Sequence, residues 1–242
     1  MTRVPRGVVD EHGRQAVVHD HEGALMALDL ETGALLWRRD PPLRPCALHA
    51  GSVVALRIGR APALVVVVLD AASGADRWVS EPVALPPWAR CTLDDTPEFT
   101  LRTEPDGEAV VLRWVARSRY GGGAAPSAQV LEESRREAHG ALRVDPARSG
   151  RVEVLPEAEA LPASVDGAAA EVPPRVPPEA PPYERPAGVL DESLVGGVRV
   201  ELVRRPDSGA VVLRAADPRT GARRWEVELD RTTPRRAPRL PP

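Results

Sequence analysis

His19-Asp20-His21-Glu22 is the densest run of potential metal ligands in the chain. Imidazole nitrogens and carboxylate oxygens are what zinc takes, and a structural zinc site wants four ligands. On a strand, alternate side chains share a face, so His19 and His21 would point the same way. The segment Asp20-His21-Glu22-Gly23, however, has the composition of a turn, and no third ligand can be picked out elsewhere. A polar turn is the expected role, with His19 and His21 kept as the only candidate metal ligands. Asp94-Asp95 and Glu132-Glu133 are adjacent carboxylates. Neighbours on a strand or helix point apart, so neither pair makes an acid/base couple. Cys46 and Cys91 are isolated and read as small buried apolar residues. His12, His49 and His139 are isolated too. There is no G-x-S-x-G, H-E-x-x-H, C-x-x-C or G-x-G-x-x-G. All 32 basic residues are Arg, because Lys is absent, as is Asn. That excludes Schiff-base and P-loop lysines and N-glycosylation. No catalytic residue and no cofactor are expected.

The elements that would position such residues are legible in a repeated phrase. Ala27-Leu28-Asp29 leads to Thr32-Gly33 and Trp37. The same Asp-to-Gly-to-Trp spacing returns in Asp70, Gly74 and Trp78, and again in Asp217, Gly221 and Trp225. A degenerate copy, Asp145 to Gly150, is one residue longer and reaches Val154 without a Trp. Asp can accept from backbone amides two residues on, and Gly supplies the positive φ of a tight turn. Each copy is therefore an apolar strand, a turn and a second strand whose Trp docks into the neighbouring unit. Repetition at roughly 40 residues signals a propeller or solenoid.

In these residues the pattern resembles the repeat of the PQQ-like (quinoprotein dehydrogenase-like) β-propeller family. The resemblance implies an all-β fold of four-stranded antiparallel blades around an axis, without a quinone. Members that bind the quinone carry an adjacent Cys pair and a metal-binding Asn, neither of which is here. About four blades are expected, as a small ring or an open half-propeller, with a short helix and a Pro-rich insertion. Blades one to three span 1–154, the third carrying a loop and helix insertion at 117–140. In it Ser127 caps a helix from Ala128 to His139, closed by Gly140. Residues 155–188 are a Pro-rich linker or strap, 189–230 the final blade, and 231–242 a basic Pro-rich tail.

The net charge of −3 does not suggest nucleic acid. No apolar run is long enough to span a membrane. The first residues lack the apolar core of a secretory signal, so a cytoplasmic protein is expected, and the Ala-, Arg- and Pro-rich composition without Lys or Asn reads as that of a GC-rich bacterial genome. The function these features suggest is a non-catalytic scaffold or adaptor binding protein partners, with self-association among the options. A small-ligand or metal sensor and a fragment of a propeller enzyme are the alternatives.

Overall fold

Short β-rich runs separated by Asp-Gly and Gly-Gly turns fold into consecutive antiparallel sheets in a computed structural model. It describes residues 3–40, 42–118, 136–148, 150, 152–156 and 187–230. Sheet I holds β1 (Arg3–Val4), β2 (Gly7–Val9), β3 (Gln15–His19), β4 (Leu25–Asp29) and β5 (Leu35–Arg39) in that order. Sheet II holds β6 (Leu43–His49), β7 (Ser52–Arg57), β9 (Val66–Asp70) and β10 (Asp76–Val79), and a small pair, β8 (Ala63–Leu64) and β11 (Val83–Ala84), adjoins it. Sheet III holds β12 (Phe99–Asp106), β13 (Ala109–Ser118), β14 (Arg136–Val144) and β15 (Val152–Leu155). Sheet IV holds β16 (Val189–Val195), β17 (Val198–Arg204), β18 (Val211–Ala216) and β19 (Arg223–Asp230). The fold is all-β and propeller-like, with the blades that the repeat implies.

Three apolar clusters fix the order of the blades. One joins sheets IV and I through Val200, Leu213 and Trp225 against Ala16, Met26 and Leu28. A second joins sheets I and II through Val17, Leu25 and Trp37 against Val53, Ala55 and Leu69. The third joins sheets II and III through Val54, Val66 and Trp78 against Phe99, Leu112 and Leu142. The blades therefore stack in the order IV, I, II, III. No cluster among the described residues joins III to IV: Val111, Ala141 and Leu155 pack within III alone, and Val189, Val203 and Val212 within IV alone. Among the described residues, no sheet packs on these two faces. Burying a Val or Leu side chain stabilises by about 1.5–3 kcal/mol, so the three joints hold the fold together.

One expectation is corrected. Residues 136–139 are not helical; they open β14, which pairs with β13 from Ser118↔Arg136 to Val110↔Val144. Gly140 caps no helix. It sits in mid-strand because a Cβ there would lie 2.7 Å from the Trp114 ring, which needs the space. The strands also take in 117–118 and 136–140 of the expected insertion; the rest of it, 119–135, including Ser127, lies outside the described residues. So do 157–186 of the Pro-rich segment and the tail 231–242.

Candidate functional site

The Asp turns are built alike at the positions where the sequence repeats. Asp29 Oδ1 accepts from the Glu31 and Thr32 amides and the Thr32 hydroxyl, at 3.0, 2.8 and 2.8 Å. Asp70 does the same with Ala72 and Ser73, and Asp217 takes the Arg219 and Thr220 amides. These bonds favour the ionised form. The Thr32 amide, first of all, holds Asp29 below the usual carboxylate range, and the Thr220 amide does so for Asp217. Asp70, bonded also by the Arg77 guanidinium, is lowered to about 2. In each of the three turns the Gly amide closes onto the Asp carbonyl at 2.8 Å.

Each turn at a joint receives the Trp of the preceding blade. The Trp225 indole N–H donates to Leu30 O at 2.8 Å, and that of Trp37 to Ala71 O at 2.8 Å. The Trp78 indole donates to Pro146 O at 3.2 Å. In every case the acceptor is the residue after the turn Asp. All three indoles are buried. Gly33 and Gly74 have φ of +74° and +70°, and a Cβ on either would lie 2.7 Å from Trp225 or Trp37. Glycine is required there both for the backbone and for the close approach. Gly150 and Gly221 also have positive φ, but a Cβ on either meets nothing within 4 Å. No Trp docks on the Asp217 turn among the described residues. Instead Arg199 of β17 donates to Pro218 O at 3.0 Å, at the carbonyl equivalent to Leu30 and Ala71.

Sheet III also lacks the wedge that would pass the pattern on. Trp37, Trp78 and Trp225 stand opposite Ala27, Val68 and Ala215, each two residues before the turn Asp. The matching pair in sheet III is Arg143↔Glu153. Counting from Gly150 points to Val154, but the longer Asp145 turn absorbs the residue that a bulge takes up in the other three sheets. Glu153, not Val154, holds the wedge position. Around it Arg113 pairs with Glu104 at 3.0 Å and Arg143 with Asp106 at 2.6 Å; the Asp106 hydrogen bond holds the Arg143 guanidinium above its usual value. The outward face of sheet IV is charged too. Glu201 is buried and pairs with Arg214, with Arg199 3.8 Å away, and Arg205 pairs with Glu226, lowering the Glu226 carboxyl.

His19 and His21, though near in sequence, go to different carboxylates. His19 is buried at the end of β3, with Nδ1 2.8 Å from Asp20 O and Nε2 3.2 Å from Asp94 Oδ1. Both nitrogens lie within hydrogen-bond distance of oxygen atoms, the second of them on Asp94. This hydrogen bond is the first cause holding Asp94 below the usual carboxylate range. His21 is exposed, and its Nδ1 lies 3.1 Å from Asp230 Oδ1. Asp20 closes the turn by accepting from the Glu22 and Ala24 amides. No group of three or more potential ligands assembles among the described residues. Sequence reasoning missed what His19 lines: a polar cavity of about 310 Å³ at the inner edges of sheets IV, I and II, with Arg6, Arg44, Asp94, Asp95 and Asp191. Buried Arg44 donates to Thr92 O and Asp94 O and pairs with Asp95. Cys91 is close to this guanidinium, but burial dominates and pushes its thiol up to about 11, which leaves it unreactive.

No helix among the described residues is long and apolar enough to cross a membrane. No known protein-family profile matches the chain, and no curated protein does. Solved structures similar to it include BamB from Moraxella catarrhalis, at 16% identity over 91% of this chain and 60% of that one, with a TM-score of 0.28. The hydrazine synthase of Kuenenia stuttgartiensis matches at 12% identity over 86% of this chain and 51% of its own, with a TM-score of 0.38. The WD40 domain of SCAP from fission yeast matches at 11% identity over 94% and 59%, with a TM-score of 0.28. The chain thus spans between half and two thirds of the length of these structures.

Proposed function

We propose that this chain is a non-catalytic adaptor of the PQQ-like propeller type. In this reading it works in the bacterial cytoplasm and engages protein partners through the two end faces of its arc. One observation carries this reading: three blade joints are sealed by apolar clusters, while the outward faces of sheets III and IV carry arginine–carboxylate pairs. Charged faces stay solvated alone and give specificity and orientation on contact. The test is affinity capture from the host with the full chain and with a variant carrying Arg113, Arg143, Arg205 and Arg214 as Ser. The reading expects defined proteins with the first and their loss with the second. Identical captures by both chains refute it.

The cavity around His19 and Arg44 supports a second reading, a sensor of a small charged ligand. A ligand bound only by the native state raises the melting temperature. A panel of small zwitterions and divalent metals tests this, with Asp191→Asn as the control expected to lose any shift.

A further inference from the structure

We infer that the partner at the end faces is a second copy of this chain, sheet III of each copy packing on sheet IV of the other to close one ring; this rests on the adaptor reading above. The argument is positional. At every joint, the residue at the wedge position of one blade lies over the carbonyl after the turn Asp of the next. At the end of sheet III that position holds Glu153. At the turn of sheet IV, which takes no Trp among the described residues, the corresponding carbonyl, Pro218 O, holds the Arg199 guanidinium. Docking sheet III of one copy on sheet IV of another, in the geometry of the three internal joints, therefore brings Glu153 onto Arg199.

The neighbouring positions fit the same docking. Arg143, directly opposite Glu153 on the ladder, approaches the side of sheet IV where Glu201 is buried between Arg199 and Arg214. Carboxylate meets guanidinium at the wedge, and that pair sets the register of the two faces. Gly221, with nothing within 4 Å of its Cβ position, leaves room for the approach. A two-fold axis makes both contacts at once and leaves no free end. Two copies of four blades make eight, within the range of closed propellers. Charged pairs rather than indoles make the contact reversible and salt-sensitive.

The experiment is native mass by light scattering and sedimentation of the full chain at low and high salt. A dimer at low salt that loosens at high salt is expected. Glu153→Arg, at a side chain 60% exposed, is expected to weaken the dimer on the order of a hundredfold, and Glu153→Gln less. Arg199→Glu is expected to do the same. Mixing the Glu153→Arg chain with the Arg199→Glu chain then restores the dimer, because one joint carries the swapped pair and the other the original one. A wild-type monomer at every salt and concentration overturns the inference, and leaves the adaptor reading to the capture experiment. A dimer indifferent to Glu153→Arg, or open growth into larger species, overturns it as well. If Arg199→Glu does not fold, the two Glu153 variants decide: retention of the dimer refutes the pairing and its loss supports it.

Discussion

On sheet I, Val17, Ala27 and Trp37 stand side by side and face sheet II; on sheet III the same ladder positions hold Val111, Arg143 and Glu153 and face outward. The receiving faces differ in the same way. Sheet I offers Ala16, Val18, Met26 and Leu28 to its neighbour, whereas the equivalent positions of sheet IV are Arg199, Glu201, Arg214 and Ala216. The backbone is the same antiparallel blade in each case, with β1 as an added fifth strand on sheet I. What changes is whether the side chains are compatible with burial against another sheet. An arginine taken from water needs a partner, and exposed ion pairs are worth only about 0–1 kcal/mol. The terminal units of stacked arrays keep a polar outer face for this reason. Stability therefore resides in the joints, and the ends are free to specify contacts.

The sharpest way to break this comparison is to remove a wedge. Trp37→Ala or Trp225→Ala deletes a buried indole and its bond to the Ala71 or Leu30 carbonyl. We expect a loss of about 3–5 kcal/mol, a large part of a typical domain's stability. Glu153→Ala, at the same register position on an end face, is expected to leave unfolding in high salt, where the dimer is apart, nearly unchanged. Urea denaturation of the three variants measures the difference. Equal effects would mean that the wedge position does not distinguish joints from ends.

The turn glycines offer a finer comparison. Gly33→Ala meets two obstacles, a φ of +74° and the Trp225 ring at 2.7 Å; Gly221→Ala meets only a φ of +72°. Backbone strain alone costs about 1–3 kcal/mol. Overpacking adds about 1–3 kcal/mol at Gly33. The melting temperature of Gly33→Ala should fall clearly below that of Gly221→Ala. If the two coincide, the close approach of Trp225 contributes nothing.

A buried charge tests the end face from the other side. Glu201 is 2% exposed but its partners Arg199 and Arg214 reach solvent. Glu201→Gln leaves both guanidiniums where water can solvate them, so the loss is expected near 1–2 kcal/mol rather than the 3–5 of a fully buried pair. A loss as large as that of Trp225→Ala, read by the same denaturation, would show that sheet IV is held as firmly by its outer face as by its joint.

Much of this contrast is written in the chain, though not where the repeat is most visible. The Asp-Gly-Trp spacing exposes turns and wedges because one residue type at one offset does one job. The degenerate copy misleads when counted from Gly150. Counted from Asp145, the wedge falls on Glu153, eight residues on, as Trp37 does from Asp29. The strands upstream of each turn carry the rest: Met26, Val67 and Leu142 line up with Arg214, and Ala27, Val68 and Ala215 with Arg143. That sheet IV stacks on sheet I, and that His19 lines a cavity with Arg44 and Asp94, depends on contacts between residues distant in the chain, which no local pattern records. The helix expected at 128–139 fails over its last four residues because ladder pairing with β13 outweighs the local Ala and Glu preference.

The smallest expected effect separates the turns from the wedges that sit on them. Asp70 has a carboxyl lowered from 3.8 to about 2, chiefly by the Arg77 guanidinium and then by the Ser73 hydroxyl and amide. A carboxyl whose folded value lies below its unfolded one adds stability above the unfolded value, and this is lost as pH falls through the folded one. The contribution of Asp70 is thus present at neutral pH and disappears between about pH 4 and about pH 2. Asp70→Asn should be slightly less stable than the wild type at neutral pH and should converge with it near pH 2. Asp217, also lowered, closes a turn that holds no Trp among the described residues. Asp217→Asn should show the same shape of pH dependence if the effect belongs to the turn alone. Should only Asp70→Asn show it, the carboxylate acts through what Asp217 lacks, the Arg77 hydrogen bond or Trp37 and its joint, and Arg77→Ala separates these two. Melting temperatures across that acid range decide between the two.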